Sequence, residues 1–216
     1  MDFNGRNNRY GQVAVPDFIE HLALQAPSFF NGIKTQVTSQ LQCDTCHWVS
    51  QRESSDILLK LYLPQDVKNG ICLSDLMVYN ASSALSGREA VFCGTCSRKT
   101  SQTCSRDYSS DVILIEVIRV SDLGGSQRWS KNSLPISFST RNLNLAGLVR
   151  SYRVAASCHH TGSIGSGHWV TKVCTAADVW YKLDDLTTKS SITDSPGVSD
   201  SSVVVLLLVA EDKLIH

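Results

Sequence analysis

Between Val15 and Ala26 the apolar positions Val15, Phe18, Ile19, Leu22 and Ala23 recur at steps of three and four residues. That spacing is the stripe of an amphipathic helix. Pro16 suits its first turn, where a missing N–H costs nothing, and Pro27 stops it before the turn Phe29-Phe30-Asn31-Gly32. Beyond Gly32 the period drops to two. Ile33 to Thr38 and Ile57 to Leu63 alternate as strands do, with Cys43 and Cys46 at the turn between them. Leu73 to Tyr79 predicts a short helix, Ala90-Val91-Phe92 a strand that leads into Cys93 and Cys96, and the Ser/Thr-rich residues 97–110 a loop or an irregular strand pair.

The second half is denser. Val112 to Val120 is a β-branched run and the best candidate for a central strand. Leu134 to Phe138, Tyr152 to Ala156, Trp169 to Val173, Val179 to Leu183 and Val203 to Val209 follow it, and Pro196-Gly197 marks a surface loop before the last. The expected class is α+β, with a mostly antiparallel sheet in the C-terminal half.

A chain of 216 residues is long enough to bury a real core. Its 20 basic and 20 acidic residues cancel and are mixed along the chain, so no electrostatic footprint points to nucleic acid or to an anionic membrane. The run Val203–Ala210 is far shorter than the roughly 20 apolar residues of a membrane helix and reads as a buried strand. Residues 1–9 are polar, without the apolar stretch of a signal peptide, so secretion is not indicated.

Four of the eight cysteines fall into two CxxC pairs, Cys43-Asp44-Thr45-Cys46 and Cys93-Gly94-Thr95-Cys96. Each pair places two thiolates on one tight turn, and two such knuckles make a closed, four-cysteine tetrahedral zinc site. The long stretch between Cys46 and Cys93 requires the intervening strands to bring the knuckles together, as a protruding β-structure pinned at its tip. A redox role asks for one CxxC in a βαβ setting, which this pattern does not offer. The zinc is structural, because four thiolates leave no open coordination position. Cys72, Cys104, Cys158 and Cys174 show no partner spacing and read as small, buried or half-buried thiols.

Gly167-His168-Trp169, followed by Trp180-Tyr181-Lys182-Leu183-Asp184-Asp185, supplies a histidine and a carboxylate on neighbouring strands. Those are two of the three parts of a thiol-hydrolase triad, a base and the acceptor that fixes its tautomer. A glycine-rich loop, residues 161–167, enters the strand at His168, so the ring can face a cleft. Asp185 could take the orienting role if the register shifts by one, although alternation sends neighbouring side chains to opposite faces. His159 and His160 read as strand-end residues. By sequence, neither Cys158 nor Cys174 is well placed to be the nucleophile.

Taken together, the double CxxC, the Tyr152-Arg153-Val154-Ala155-Ala156 segment, the Gly-His-Trp and the Trp-Tyr-Lys-Leu-Asp-Asp resemble the ubiquitin-specific protease family of deubiquitinases. In that family's Y-x-L-x-A-V-x-x-H-x-G-x-x-x-x-G-H-Y pattern, Tyr152, Ala156, His160, Gly162, Gly167, His168 and Trp169 fall in place, with Val154, Ser157 and Trp169 as departures. Trp180 and Asp184 match the next block, and Gln12 to Phe18 a degraded form of the Q-Q-D-A-x-E-F helix start.

The resemblance implies a papain-like fold in one partial domain over residues 1–210. Its parts would be a remnant thumb helix over 12–32, zinc-pinned fingers over 33–110 and a palm with the histidine and aspartate over 111–210. It implies His168 as base, Asp184 or Asp185 as its orienting partner, and Gly162, Gly167 and Trp169 along the channel for the ubiquitin tail. Cys43, Cys46, Cys93 and Cys96 would hold the zinc. The partner implied is ubiquitin or a ubiquitinated protein, in the cytoplasm or nucleus. The family's Cys box lies upstream of the Q-Q-D helix, where this chain has Met1 to Gly11 and no cysteine among them. Two readings follow: a deubiquitinase domain inactive without that segment, or a non-catalytic ubiquitin-binding scaffold. A plain zinc-ribbon module would leave the Gly-His-Trp block unaccounted for.

Overall fold

The computed structural model describes residues 14–122, 129–164, 166–185, 187–192 and 199–213. The polar N-terminal run, Gln12 and the Pro196-Gly197 turn lie outside these residues. The main sheet has eight strands. Its principal order is Thr187–Ile192, Trp180–Asp184, Gly167–Cys174, Ser151–Gly162, Val203–Ala210, Val112–Ile118 and Leu58–Tyr62, and Leu143–Asn144 pairs with the start of Ser151–Gly162. Every pairing is antiparallel except that of Leu58–Tyr62 with Val112–Ile118.

Val112–Ile118 and Val203–Ala210 sit at the centre because their apolar residues are nearly continuous, so both faces can be covered. One face carries the larger core, in which Leu61, Leu76, Met77, Ile113, Ile115, Tyr152, Leu206 and Leu208 are buried. The helix Leu73–Ala81 contributes Leu76 and Met77 to it. The opposite face, around Leu58, Leu114 and Val205, takes Val15 and Ile19 of the helix Val15–Gln25 together with Trp169. That helix covers little of its own stripe: Phe18, Leu22 and Leu24 stay exposed.

A second, four-stranded antiparallel sheet runs Val49–Asp56, Thr35–Cys43, Gln102–Ser109 and Ser82–Leu85. The small hairpin of Val91–Cys93 and Arg98–Thr100 stands at its end. The structure departs from the sequence pattern here. Residues 102–109 form a regular strand, paired on both sides, where composition leaves a loop or an irregular strand pair open. Gln102, Cys104 and Tyr108 alternate inward and decide the matter, while Thr and Ser fill the wet face. Ile33 ends a short 3-10 turn, Asn31–Ile33, and the strand begins at Thr35.

Candidate functional site: a four-thiol cluster and a histidine–aspartate pair

The two knuckles meet at the tip of the second sheet. Thr35–Cys43 delivers Cys43 into its turn, and Val91–Cys93 delivers Cys93 into the other. His47 and Ser97, each directly after the second cysteine of its CxxC, adopt left-handed backbone with φ of 57° and 53°. The two turns therefore close alike. Cys43 Sγ lies 3.9 Å from Cys96 Sγ, and Cys46 Sγ 3.7 Å from Cys93 Sγ. Zinc with four sulfurs at about 2.3 Å has tetrahedral edges of about 3.8 Å, which these two match, and all four Sγ atoms lie within 4.8 Å of one another, compatible with that ion.

The thiols are electrostatically in conflict. The Thr100 hydroxyl, 3.3 Å away, and the Cys46 backbone N–H pull the Cys43 thiol down to about 6. The Cys46 thiol beside it helps to push Cys96 up to about 12. Four thiols this close cannot all ionise unaided, and a divalent cation at their centre removes the conflict.

His168 and Asp184 are brought together on the main sheet. Thr171 pairs with Leu183 and Lys172 with Lys182, which sets Asp184 on the same face as His168 and one diagonal step away. His168 Nε2 lies 2.5 Å from Asp184 Oδ1. Asp184 Oδ2 accepts from Lys182 Nζ at 2.6 Å. Lys182 first, and His168 second, hold the Asp184 carboxyl below its ordinary value. With Nε2 committed to Asp184, Nδ1 is the ring atom available to a reacting group.

Asp185 does not follow strand alternation. Its φ of 46° turns the chain back, and its Oδ2 comes within 3.7 Å of His168 Nδ1. Both carboxylates thus flank one ring, from opposite sides. The hairpin before His168 depends on two glycines. Gly162 has φ +108°, and a Cβ there would stand 2.7 Å from Gly167 Cα. A Cβ on Gly167 would meet Thr161 O at 2.2 Å. Only glycine lets the two backbones approach this closely.

Against known families, residues 19–207 match the family described as ubiquitin carboxyl-terminal hydrolase. The chain belongs to that family. It is similar to ubiquitin carboxyl-terminal hydrolase 21 of Mus musculus, with 23% identity over 190 residues, covering 83% of this chain and 33% of that protein. The Homo sapiens protein of the same name is 25% identical over 161 residues, covering 69% of this chain and 28% of its own length. The chain therefore spans a third or less of these relatives.

For a ubiquitin carboxyl-terminal hydrolase domain the papain-like fold follows, and the α+β build with mostly antiparallel sheets accords with it. Such an enzyme needs a thiol at the histidine, and the position of each cysteine can be read directly. Cys158 pairs with Thr171, three residues from the Thr161–His168 pair, so it points to the opposite face from His168. Burial also raises its thiol. Cys174 shares the His168 face but lies six residues along the strand, about 20 Å away at the usual rise. Cys72 caps the helix Leu73–Ala81, accepting from the Asp75 N–H, and Cys104 is buried in the second sheet.

The part played by Lys182, and the buried network around His159, which reads as a strand-end residue, escaped the sequence reading. Lys182 could have been found from its i, i+2 relation to Asp184, which puts both on one face of a strand. His159 could not. Its ring is buried, with Nδ1 2.9 Å from Asp200 Oδ2 and Nε2 2.7 Å from Ser157 Oγ. Burial alone would raise the Asp200 carboxyl, but His159 and the Ser202 hydroxyl and N–H outweigh it and hold it well below the carboxylate range. This closed network ties the loop before Val203 to the strand that carries His160.

Proposed function

We propose that the chain is the ubiquitin-engaging part of a thiol-dependent deubiquitinase, with His168 as the general base and Asp184 as its orienting carboxylate. The observation that carries this is the 2.5 Å His168–Asp184 pair at the mouth of the Gly162–Gly167 hairpin, in a chain of this family. A thiol presented to Nδ1 would give its proton to the imidazole and attack the carbonyl carbon of ubiquitin's C-terminal glycine, breaking its C–N bond to lysine. The imidazolium would then return that proton to the leaving lysine amine. Asp184, kept ionised by Lys182, would hold the ring in its Nε2–H form throughout.

In this reading residues 12–32 are the remnant of a thumb, residues 33–110 the fingers and residues 111–210 the palm. Gly162, Gly167 and Trp169 would border the channel for the glycine-ended tail, where a side chain would block passage. Cys43, Cys46, Cys93 and Cys96 would hold a structural zinc that keeps the fingers folded and supplies no chemistry. Zinc-bound thiolates suit a reducing, intracellular setting, in the cytoplasm or the nucleus. A second reading, a non-catalytic ubiquitin-binding scaffold, is favoured by the cysteine positions, since Cys158 and Cys174 both lie out of reach of His168.

The test is incubation of the zinc-loaded chain with ubiquitin carrying an electrophilic C-terminus, read by intact mass, beside direct titration of ubiquitin binding. We expect saturable binding and no adduct. An adduct that disappears in His168→Ala would show that a cysteine of this chain is the nucleophile. Absence of binding by the folded chain would remove ubiquitin as its partner.

A further inference from the structure

We infer that Lys131 is a positioning residue for His168, acting through the His160 ring. Lys131 Nζ has three N–H groups, and three acceptors surround it: His160 Nδ1 at 3.2 Å, His160 O at 2.8 Å and Gly162 O at 3.0 Å. An ammonium can only donate, so His160 Nδ1 must accept and the ring proton must sit on Nε2. Burial, and then the Lys131 charge, lower the His160 imidazole and keep it neutral, which this arrangement requires.

The clamped ring bears directly on both neighbours of His168. It stacks on Trp169 with centroids 4.6 Å apart and an interplanar angle of 34°. Its Nε2 edge lies over Gly167 so closely that a Cβ built there would be 2.3 Å away. Gly167 and Trp169 are thereby held from one face of the sheet, and His168, between them, is aimed at the other. The carbonyl of Gly162, which pairs with Gly167, is fixed by the same ammonium. His168 therefore reaches Asp184 with its backbone already set.

Packing alone would not do this. A cavity of about 160 Å³ borders Lys131, His160, Ile164 and Trp169, leaving the ring room to swing once its Nδ1 partner is gone.

The experiment is NMR of the folded, metal-loaded chain with labelled histidines, in the wild type, Lys131→Met and Lys131→Arg. In the wild type, His160 shows the Nε2–H tautomer; finding Nδ1–H would overturn the inference without any variant. In Lys131→Met we expect amide exchange over residues 166–169 to rise roughly tenfold while the central strands keep their protection. The His168 Nε2–Asp184 hydrogen bond, read from the His168 ring-nitrogen chemical shifts, is lost, and Lys131→Arg restores both. Unchanged exchange and unchanged His168 ring-nitrogen chemical shifts in a folded Lys131→Met protein would sink the idea, as would equal effects of the methionine and arginine variants. Neither readout depends on ubiquitin, so failure here is distinct from failure of the proposed function.

Discussion

The two sheets of this chain differ in how much of themselves they bury: the second contributes Val37 and Tyr108 to the shared core, the main sheet most of the rest. In the main sheet, Val203–Ala210 buries six of its eight residues, and its neighbours Val112–Ile118 and Ser151–Gly162 press on either side. In the second sheet, Val49–Asp56 buries none of its eight and is almost wholly exposed. A strand with no apolar face gains little from the hydrophobic effect. What the second sheet has instead is the convergence of Cys43, Cys46, Cys93 and Cys96 at its tip. The main sheet rests on its core, while the outer strands of the second have few core contacts and a four-thiol cluster at their tip.

The largest test of this contrast is metal removal. Apparent zinc-binding free energies in small four-ligand sites are about 10–16 kcal/mol, and this becomes folding free energy where the core is thin. Chelation, or Cys93→Ser, should release amide protection over residues 35–56 and 82–109 while residues 112–118 and 203–210 stay protected. Hydrogen exchange with metal stoichiometry measured in parallel reads this directly. Simultaneous melting of both sheets would mean that they share one cooperative unit.

Next in size is a cavity in the main sheet. Leu206 is fully buried, and Leu206→Ala should cost about 2–5 kcal/mol. Denaturant unfolding followed at Trp180, buried in the same core, checks it. Retention of metal by this variant under conditions that melt the core would complete the reversal of the first result.

The smallest effect is one of pH. Burial raises the Glu116 carboxyl to about 7, with Lys60 at 4.0 Å offsetting part of the cost. A carboxyl raised above its unfolded value opposes folding increasingly as pH climbs from about 4.3 to 7, and by a constant amount above that. Glu116→Gln should therefore be neutral near pH 4 and stabilising above pH 7, by about 1–2 kcal/mol after allowance for residual solvent. Stability curves against pH for the two proteins measure the difference. A constant offset at all pH values would assign the effect to packing.

Much of this was legible beforehand, for reasons that differ by residue. The central strands follow from dense β-branched runs, and the paired knuckles follow from local CxxC spacing, because both are properties of short segments. His168 and Asp184 were legible from motif and hairpin order. The Ser/Thr-rich strand Gln102–Ser109 was not, because its weak alternation becomes decisive only when strands flank it on both sides. Asp185 was legible as an alternative orienter that needed a register shift, whereas a left-handed turn brings it to the ring without one.

The sequence by itself determined the apolar central strands, which cysteines can share an ion and which residue types can act as base and orienter. These rest on local periodicity and on side-chain chemistry. The tertiary structure alone decided that the Sγ atoms stand 3.7 and 3.9 Å apart across the two turns. It also decided that Lys182 neutralises Asp184, and that Lys131 reaches across to grip His160 and Gly162. Each of those contacts joins elements whose relative register and twist are set by the whole sheet, and no local pattern encodes a distance between strands.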